Sequence, residues 1–76
     1  MEEVLMATPE RIESDFTYHA PKGDQAQRYE QIRERAKGLA LYLLQVTPQS
    51  REQSLALTHL EEAVMWANAS IARNEL

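Results

Sequence analysis

The chain has 76 residues, 43% of them hydrophobic, and its 12 acidic and 8 basic residues give a formal net charge of −4. A chain of this length forms one domain at most and buries only about 60% of the surface that its unfolded form exposes. Because cysteine is absent, disulfides and zinc–thiolate sites are excluded as sources of extra stability. We therefore expect a single domain, residues 1–76, that enlarges its core by self-association.

Charge and hydropathy also exclude several partners. No apolar run is long enough to cross a bilayer, and the acidic start MEEVLMATPE is unlike the basic start of a signal peptide. We therefore expect a soluble, cytosolic protein. The negative net charge argues against binding to a DNA or RNA polymer. Residues 21–51 nevertheless hold six basic and three acidic residues, a net charge of +3, which favours a small phosphate-bearing ligand held in a local pocket.

Residues 1–23 are predicted to form a short helix followed by an extended linker. Thr8 is a typical helix N-cap and Pro9 a typical first helical residue, which places the helix at about residues 9–15. The segment FTYHAPKG that follows has no helical periodicity and contains both proline and glycine. This composition is typical of an extended linker that lies on another part of the molecule.

The first long helix is predicted over residues 24–47, where Asp24 and Gln27 have the spacing of a capping box. Apolar residues at alternating intervals of three and four predict one packing seam, formed by Tyr29, Ile32, Ala36, Leu39, Leu43 and Val46. Gly38 costs this helix about 1 kcal/mol relative to alanine. It therefore predicts a close backbone approach by a partner or ligand.

The second long helix is predicted over residues 50–74, with Ser50 and Gln53 as its capping box. The short connection at residues 47–50 predicts an antiparallel two-helix hairpin. One apolar stripe of this helix consists of Leu57, Leu60, Val64, Ala67 and Ile71. A second stripe consists of Leu55, Met65, Ala69 and Ala72.

Two apolar stripes on one helix require two neighbours, and the hairpin supplies only one of them. We therefore expect an all-α fold, a short N-terminal helix followed by the hairpin, that assembles as a homo-oligomer through its second long helices. In the alternative interpretation, the short N-terminal helix covers part of the second stripe.

Enzymatic chemistry has little support in the residues. Ser54 or Ser70 could be paired with His59, but a helical hairpin offers no obvious oxyanion hole and no third group that would orient the histidine. The two histidines of the chain lack the spacing of a metal site. We therefore expect no catalytic residues, no bound metal and no cofactor.

A binding site has better support at the open end of the hairpin. Antiparallel pairing about residue 48 places Tyr29 opposite Asn68, brings Arg33 level with Val64 and puts Arg73 level with Asp24. The same end gathers rings for stacking, guanidinium groups for phosphate and an amide for a base edge. These side chains belong to Tyr18, Arg28, Tyr29, Arg33, Lys37, Trp66, Asn68 and Arg73.

Each of these residues also has a plainer interpretation. Trp66 is more often a core or interface residue than a stacking platform. Arg33 and Lys37 are more often part of a solvated face, since glutamates lie at helical spacing beside them. Asn68, within the otherwise apolar stretch VMWANASI, is harder to explain in this way, because a buried amide needs hydrogen-bond partners.

Two segments together resemble a known family. The stretch SREQSLALTHLEEAVMWANASIARNE, together with FTYHAPKGDQAQRYEQIRERAKGLA before it, resembles the helical-hairpin domain of the phage anti-CBASS and Thoeris anti-defence sponges. The resemblance covers about residues 16–75. It implies a hexamer of hairpins in the host cytoplasm, with pockets between protomers. It also implies sequestration, without turnover, of cyclic di- or trinucleotides or cyclised ADP-ribose.

The resemblance also implies roles for particular side chains. It matches a stacking aromatic of the linker to Tyr18, a basic residue of the first long helix to Arg33, the polar residue of the WAN triplet to Asn68 and a hydroxyl near the subunit contact to Thr58. Arg51 and Arg73 are weaker matches that could reach a second, symmetric pocket. The predicted ligand-binding set is Tyr18, Arg33, Lys37, Arg51, Thr58, Trp66, Asn68 and Arg73. A structural or regulatory helical oligomer that binds a protein partner is the alternative function.

Overall fold

Three helices make up the architecture of the chain. A computed structural model describes residues 7–75, in which α1 spans Pro9–Asp15, α2 spans Gln25–Val46 and α3 spans Arg51–Asn74. No strand occurs among these residues, and α2 and α3 pack together as the predicted antiparallel hairpin. The predicted all-α fold is therefore confirmed, whereas the parts of the predicted domain before residue 7 and at residue 76 lie outside the described residues.

Side-chain capping begins α1 and α3 but not α2. The backbone N–H of Arg11 donates to Thr8 Oγ1 at 3.0 Å, and that of Gln53 donates to Ser50 Oγ at 3.1 Å, as predicted. Asp24 occupies the N-cap of α2 without a side-chain cap, and its Oδ1 accepts from Arg28 Nε at 3.1 Å instead. Its backbone, at φ −92° and ψ 13°, is outside the extended region that turns a cap side chain toward the first amides. The capping box predicted at this position is therefore wrong.

The amide of Gln53 closes the turn between α2 and α3. This side chain is 8% exposed, and its Nε2 donates to Thr47 O at 3.1 Å and to Thr47 Oγ1 at 3.0 Å. It does not return to Ser50, as a complete capping box would require. The predicted box is thus half correct, because the glutamine amide satisfies the end of the preceding helix rather than the start of its own.

The packed face of α2 differs from the predicted seam at two positions, where Ala40 takes the place of Leu39 and the C-cap Thr47 takes the place of Val46. The half-buried line is Tyr29, Ile32, Ala36, Ala40, Leu43 and Thr47. Leu39 and Val46, both predicted in the seam, are 46% and 53% exposed. A straight helix repeats about every 3.6 residues, so a line at shorter intervals rotates off the contact face. The predicted seam of α3 is confirmed, since all five of its residues are half-buried.

The residues that the structure describes form no buried apolar core. Among residues 7–75 no hydrophobic side chain is buried, and the buried side chains are two glutamines, Gln25 and Gln53. The large apolar side chains that stay exposed are Ile12, Phe16, Tyr18, Leu39, Leu41, Tyr42, Leu44, Val46, Leu55, Met65 and Trp66. Packing of α2 on α3 therefore leaves much apolar surface in water, which a stable domain of this size can rarely tolerate.

The second stripe of α3 is divided between two environments. Ala69 and Ala72 are half-buried toward α1 and the linker, whereas Met65 and Leu55 are 62% and 38% exposed. Asp15 at the end of α1 reaches Arg73 across this contact. The N-terminal helix and linker therefore cover the carboxyl half of the stripe and leave its amino half uncovered.

Gly38 lies on an exposed part of α2. A Cβ atom built on this glycine would meet no neighbouring atom within 4 Å. The close approach that its presence predicts is therefore not made by any described part of the same protomer. None of the described helices combines the length and hydropathy that a membrane span requires.

Candidate functional site

A cavity of about 420 Å³ lies between the linker and the open end of the hairpin. Tyr18 lines it from the linker, Arg33 from α2, and Asn68 and Arg73 from α3. Four of the predicted site residues therefore meet around one space, together with Tyr29, which was predicted opposite Asn68. The volume falls within the roughly 300–1,000 Å³ typical of small-molecule sites.

The side chains that face the cavity differ in how firmly they are held. Tyr18 is 82% exposed, so its ring is available for stacking. Arg33 is exposed and forms no ion pair with any of residues 7–75, which leaves its guanidinium free for an anion. An aromatic ring and an uncommitted guanidinium at one cavity can hold the base and the phosphate of a nucleotide.

The side-chain oxygen of Asn68 is a hydrogen-bond acceptor without a described partner. Its Oδ1 is buried and has no partner among the described residues. A buried acceptor left unpaired costs about 1–3 kcal/mol, and such groups are uncommon in native structures. The predicted difficulty with an amide in this apolar stretch is therefore confirmed, and the cavity wall contains a polar atom that no described residue satisfies.

Arg73 is partly neutralised by an acid that the sequence analysis missed. Asp15 lines the same cavity, with its Oδ1 3.5 Å from Arg73 Nε and its Oδ2 accepting from Arg11 Nε at 3.2 Å. A sequence signal for this pair does exist, because an acid in the last turn of a helix opposes the helix dipole unless a cation compensates it. The ion-pair partner of Arg73 is Asp15 of α1, although the hairpin pairing had predicted only that Arg73 lies level with Asp24.

A second groove, about 500 Å³ in volume, continues from the cavity along α2 and α3. Arg33 and Asn68 line both spaces, and Lys37 lines the groove together with apolar side chains such as Val64 and Met65. Lys37 Nζ lies 3.7 Å from Glu34 Oε2 in a pair that is exposed on both sides, and such surface pairs bind weakly. Lys37 thus remains able to turn toward an anion in the groove.

The remaining predicted site residues lie apart from the cavity. Arg51 and Thr58 are exposed and precede Asn68 on α3 by about 26 and 15 Å of helix. Trp66 is 66% exposed and lines a depression of about 180 Å³ with Arg11 and Arg73. The interpretation of Trp66 as a core residue is therefore wrong for the protomer, and an interface role is left open.

Arg28 was predicted to join the open-end cluster but belongs to a separate network. Its Nη2 donates to Glu75 Oε1 at 2.6 Å, its Nη1 to Glu75 Oε2 at 3.0 Å, and its Nε to Asp24 Oδ1. These hydrogen bonds, above all the one to Glu75, raise the pKa of the Arg28 guanidinium. The hydrogen bond from Arg28, followed by one from Gln25, lowers the pKa of Glu75 to about 2.

Comparison with known protein families decides the classification. The family model for the Acb2/Tad1 hairpin domain matches residues 8–72. The chain belongs to the Acb2/Tad1 hairpin-domain family. No curated protein sequence and no solved structure gives a significant match.

The Acb2/Tad1 hairpin-domain match includes most of the cavity. Tyr18, Arg33 and Asn68 lie inside the matched range, whereas Arg73 and Glu75 lie beyond it. Membership confirms the resemblance found in the sequence, and it supports a phage anti-defence hairpin domain. Among residues 7–75, no three histidine or carboxylate side chains converge so that they could hold a metal ion.

Proposed function

We propose that this protein is a phage anti-defence sponge that binds cyclic nucleotide immune signals in the host cytoplasm and sequesters them without degrading them. Cyclic di- and trinucleotides and cyclised ADP-ribose are the ligand class. The working form is a homo-oligomer, a hexamer by the resemblance to the family, with ligand sites completed between protomers.

The observation that carries this proposal is the meeting of Tyr18, Arg33 and Asn68 at one cavity. A cyclic nucleotide presents π faces, phosphate oxygens and polar base edges, and these three side chains complement those groups in turn. The unpaired Oδ1 of Asn68 supports the same conclusion, because a base-edge donor would satisfy it.

The strength of binding that a sponge needs is within reach of these groups. Two or three charge-assisted contacts at about 1.5–3 kcal/mol each, with stacking at about 1–3 kcal/mol per base, can reach nanomolar affinity when the site is preformed. Sequestration requires tight binding of this kind, but it does not require the protein to catalyse a reaction.

Assembly is supported by the apolar side chains that the protomer leaves exposed. Met65 and Trp66 on α3 and Leu41, Leu44 and Val46 on α2 each expose more than half of their surface. Burial of these groups against further copies would give the fold a core that one hairpin lacks. In such an assembly Arg51, Thr58 and Trp66, which do not line the cavity of their own chain, would be available to a site on a neighbouring protomer.

Calorimetric titration with cyclic di-AMP, cyclic di-GMP, cyclic tri-AMP and cyclised ADP-ribose tests the proposal directly. At least one of them should bind below about 10 μM. Arg33→Ala should weaken that binding about 10- to 100-fold by removing a charge-assisted contact. The matched control is Arg35→Ala, which removes an exposed arginine of the same helix that lines neither space.

A separate measurement distinguishes the sponge from an enzyme. The ligand released by heat denaturation after long incubation should be chemically unchanged. Accumulation of a linear product would assign the protein to the phosphodiesterases instead. Failure of every ligand to bind to properly assembled protein would exclude the sponge.

A structural or regulatory oligomer that binds a protein partner is the second candidate. It is favoured by the exposed pair Met65 and Trp66, which stands next to the covered part of α3. This function predicts that Met65→Glu abolishes activity, whereas Tyr18→Ala and Arg33→Ala leave it intact. Val64 is less suitable for the test, because it is half-buried and a charge there would destabilise the hairpin itself.

A further inference from the structure

The start of α2 and the end of α3 are joined by three polar side chains. Gln25 is 5% exposed, and its Nε2 donates to Glu75 Oε1 at 3.2 Å. Arg28 grips both oxygens of the same carboxylate, at 2.6 and 3.0 Å. We call Gln25, Arg28 and Glu75 the polar clasp. It connects the two helices at the end of the hairpin where the cavity opens.

The polar clasp also holds the linker. Gln25 Oε1 accepts from the backbone N–H of Lys22 at 3.1 Å, while the backbone N–H of Gln25 donates to Lys22 O at 3.0 Å. One glutamine side chain thus binds a linker amide with its oxygen and the α3 carboxylate with its nitrogen. The amide is therefore fixed from both sides, and Lys22 is fixed with it.

Packing alone does not explain the position of Tyr18. Its side chain is 82% exposed, so contacts contribute little to its placement over the cavity. The backbone is held on both sides of it. Before it, the backbone N–H of Thr17 donates to Ser14 O at 3.4 Å. After it, His19 Nε2 lies 2.9 Å from the same oxygen, and the backbone N–H of Lys22 donates to the polar clasp. Placement of the ring thus depends on these anchors.

We propose that Glu75 is a positioning residue for the ligand site. It orients Gln25, Gln25 fixes the linker at Lys22, and the linker places Tyr18 beside Arg33 and Asn68. This inference rests on the proposed function. It adds Glu75, a residue that lies beyond the family-matched range and does not line the cavity.

Two glutamate variants separate this role from general stabilisation. Glu75→Ala removes both the charge and the acceptor, whereas Glu75→Gln keeps an oxygen that can still accept from Gln25. Glu62→Ala is the matched control, because Glu62 is an exposed acid of α3 that lies 3.2 Å from His59 of its own helix. All variants are made in the full chain.

The first measurement needs no ligand. Amide hydrogen exchange, followed by nuclear magnetic resonance, should show the Lys22 N–H exchanging about three- to tenfold faster in Glu75→Ala, with a smaller change in Glu75→Gln. The amides of Leu43, in the last turn of α2, and of Leu60, near the middle of α3, should be unaffected. Faster exchange at all three amides would indicate general destabilisation and would overturn a specific positioning role.

The second measurement is affinity for the best ligand among the four cyclic nucleotides named above. Glu75→Ala should weaken it about three- to tenfold, Glu75→Gln should recover part of the loss, and Glu62→Ala should match the unaltered protein. Unchanged affinity with faster Lys22 exchange would overturn the positioning role. If the unaltered protein binds none of the four, the proposed function fails, and the exchange rates alone then decide whether Glu75 fixes the linker.

Discussion

The two ends of the hairpin are closed by different chemistry. At the turn, the neutral amide of Gln53 binds the carbonyl and hydroxyl oxygens of Thr47. At the open end, charged groups join separate segments, with Arg28 bound to Glu75 and Arg73 lying near Asp15. The turn end leaves aliphatic side chains exposed, while the open end forms a cavity. The comparison indicates that the turn holds the two helices together, whereas the open end brings Tyr18, Arg33 and Asn68 to one cavity, where we propose that a ligand binds.

The largest expected effect on stability is at the turn end. Gln53→Ala should lower the free energy of unfolding by about 1–3 kcal/mol, because the Thr47 oxygens lose their buried donor. Urea denaturation followed by circular dichroism measures the change. Gln45→Ala, at an exposed position of α2, is the control and should change stability by less than about 0.5 kcal/mol. Equal effects of the two substitutions would contradict the role assigned to Gln53.

At the open end, Asn68→Leu should separate stability from binding. It replaces a buried unpaired acceptor with an apolar group of similar size, which should raise the free energy of unfolding by about 1 kcal/mol. Affinity for the bound cyclic nucleotide should fall about tenfold, since a base edge loses its acceptor. Denaturation and calorimetry on the same preparation test both parts. A variant that is both less stable and unchanged in affinity would show that Asn68 has a structural role.

A smaller effect on stability is expected from a substitution at Gly38, which lies in α2 between the turn and the open end of the hairpin. Gly38→Ala should stabilise the separate protomer by about 0.5–1 kcal/mol, because alanine favours helix and its Cβ meets no neighbouring atom. Light scattering then shows whether the oligomer survives. Loss of assembly in a better-folded chain would place the predicted close backbone approach between protomers. Retention of assembly would leave Gly38 without a role in packing.

The smallest effect is the dependence of the open end on pH. The pKa of Glu75 is lowered from 4.5 in the unfolded chain to about 2 in the folded protein. The contribution of its carboxylate to the free energy of unfolding is therefore fully present above about pH 4.5, and it is lost as the pH falls from about 4.5 to 2. Glu75→Gln should therefore flatten the decline in melting temperature over this interval. The difference should be modest, since the pair is partly exposed. Identical slopes would contradict the ion pair.

Much of the fold could be predicted from sequence because its signals are local. Thr8 and Ser50 cap their helices as the neighbouring residues indicate, and proline marks the breaks. The replacement of Leu39 by Ala40 on the packed face of α2 could not be predicted. The helical repeat is not a whole number of residues, so a short apolar pattern is compatible with either of two neighbouring lines along the helix. The family, too, could be predicted, because the motif in α3 is long and specific.

The site could be predicted only in part. Tyr18, Arg33, Asn68 and Arg73 meet as expected, since hairpin pairing places them at one end. The partners of the cations could not be inferred, because Asp15 and Glu75 are brought to Arg73 and Arg28 by tertiary structure. Both acids lie at the end of a helix, where the dipole disfavours a negative charge. This feature indicates that each acid needs a nearby cation, but it does not identify which cation that is.

Gln25 and Gln53, the two side chains that are buried among residues 7–75, have a consequence for how this sequence can diverge. Each amide uses its nitrogen as a donor, and Gln25 also uses its oxygen as an acceptor. Glutamate is nearly the same size but lacks the donor, and lysine lacks the acceptor. The exposed aliphatic positions have no such hydrogen-bonding requirement among the described residues. Among related hairpins we therefore expect these two polar positions to vary less than many of the apolar ones, the reverse of the pattern in most small domains.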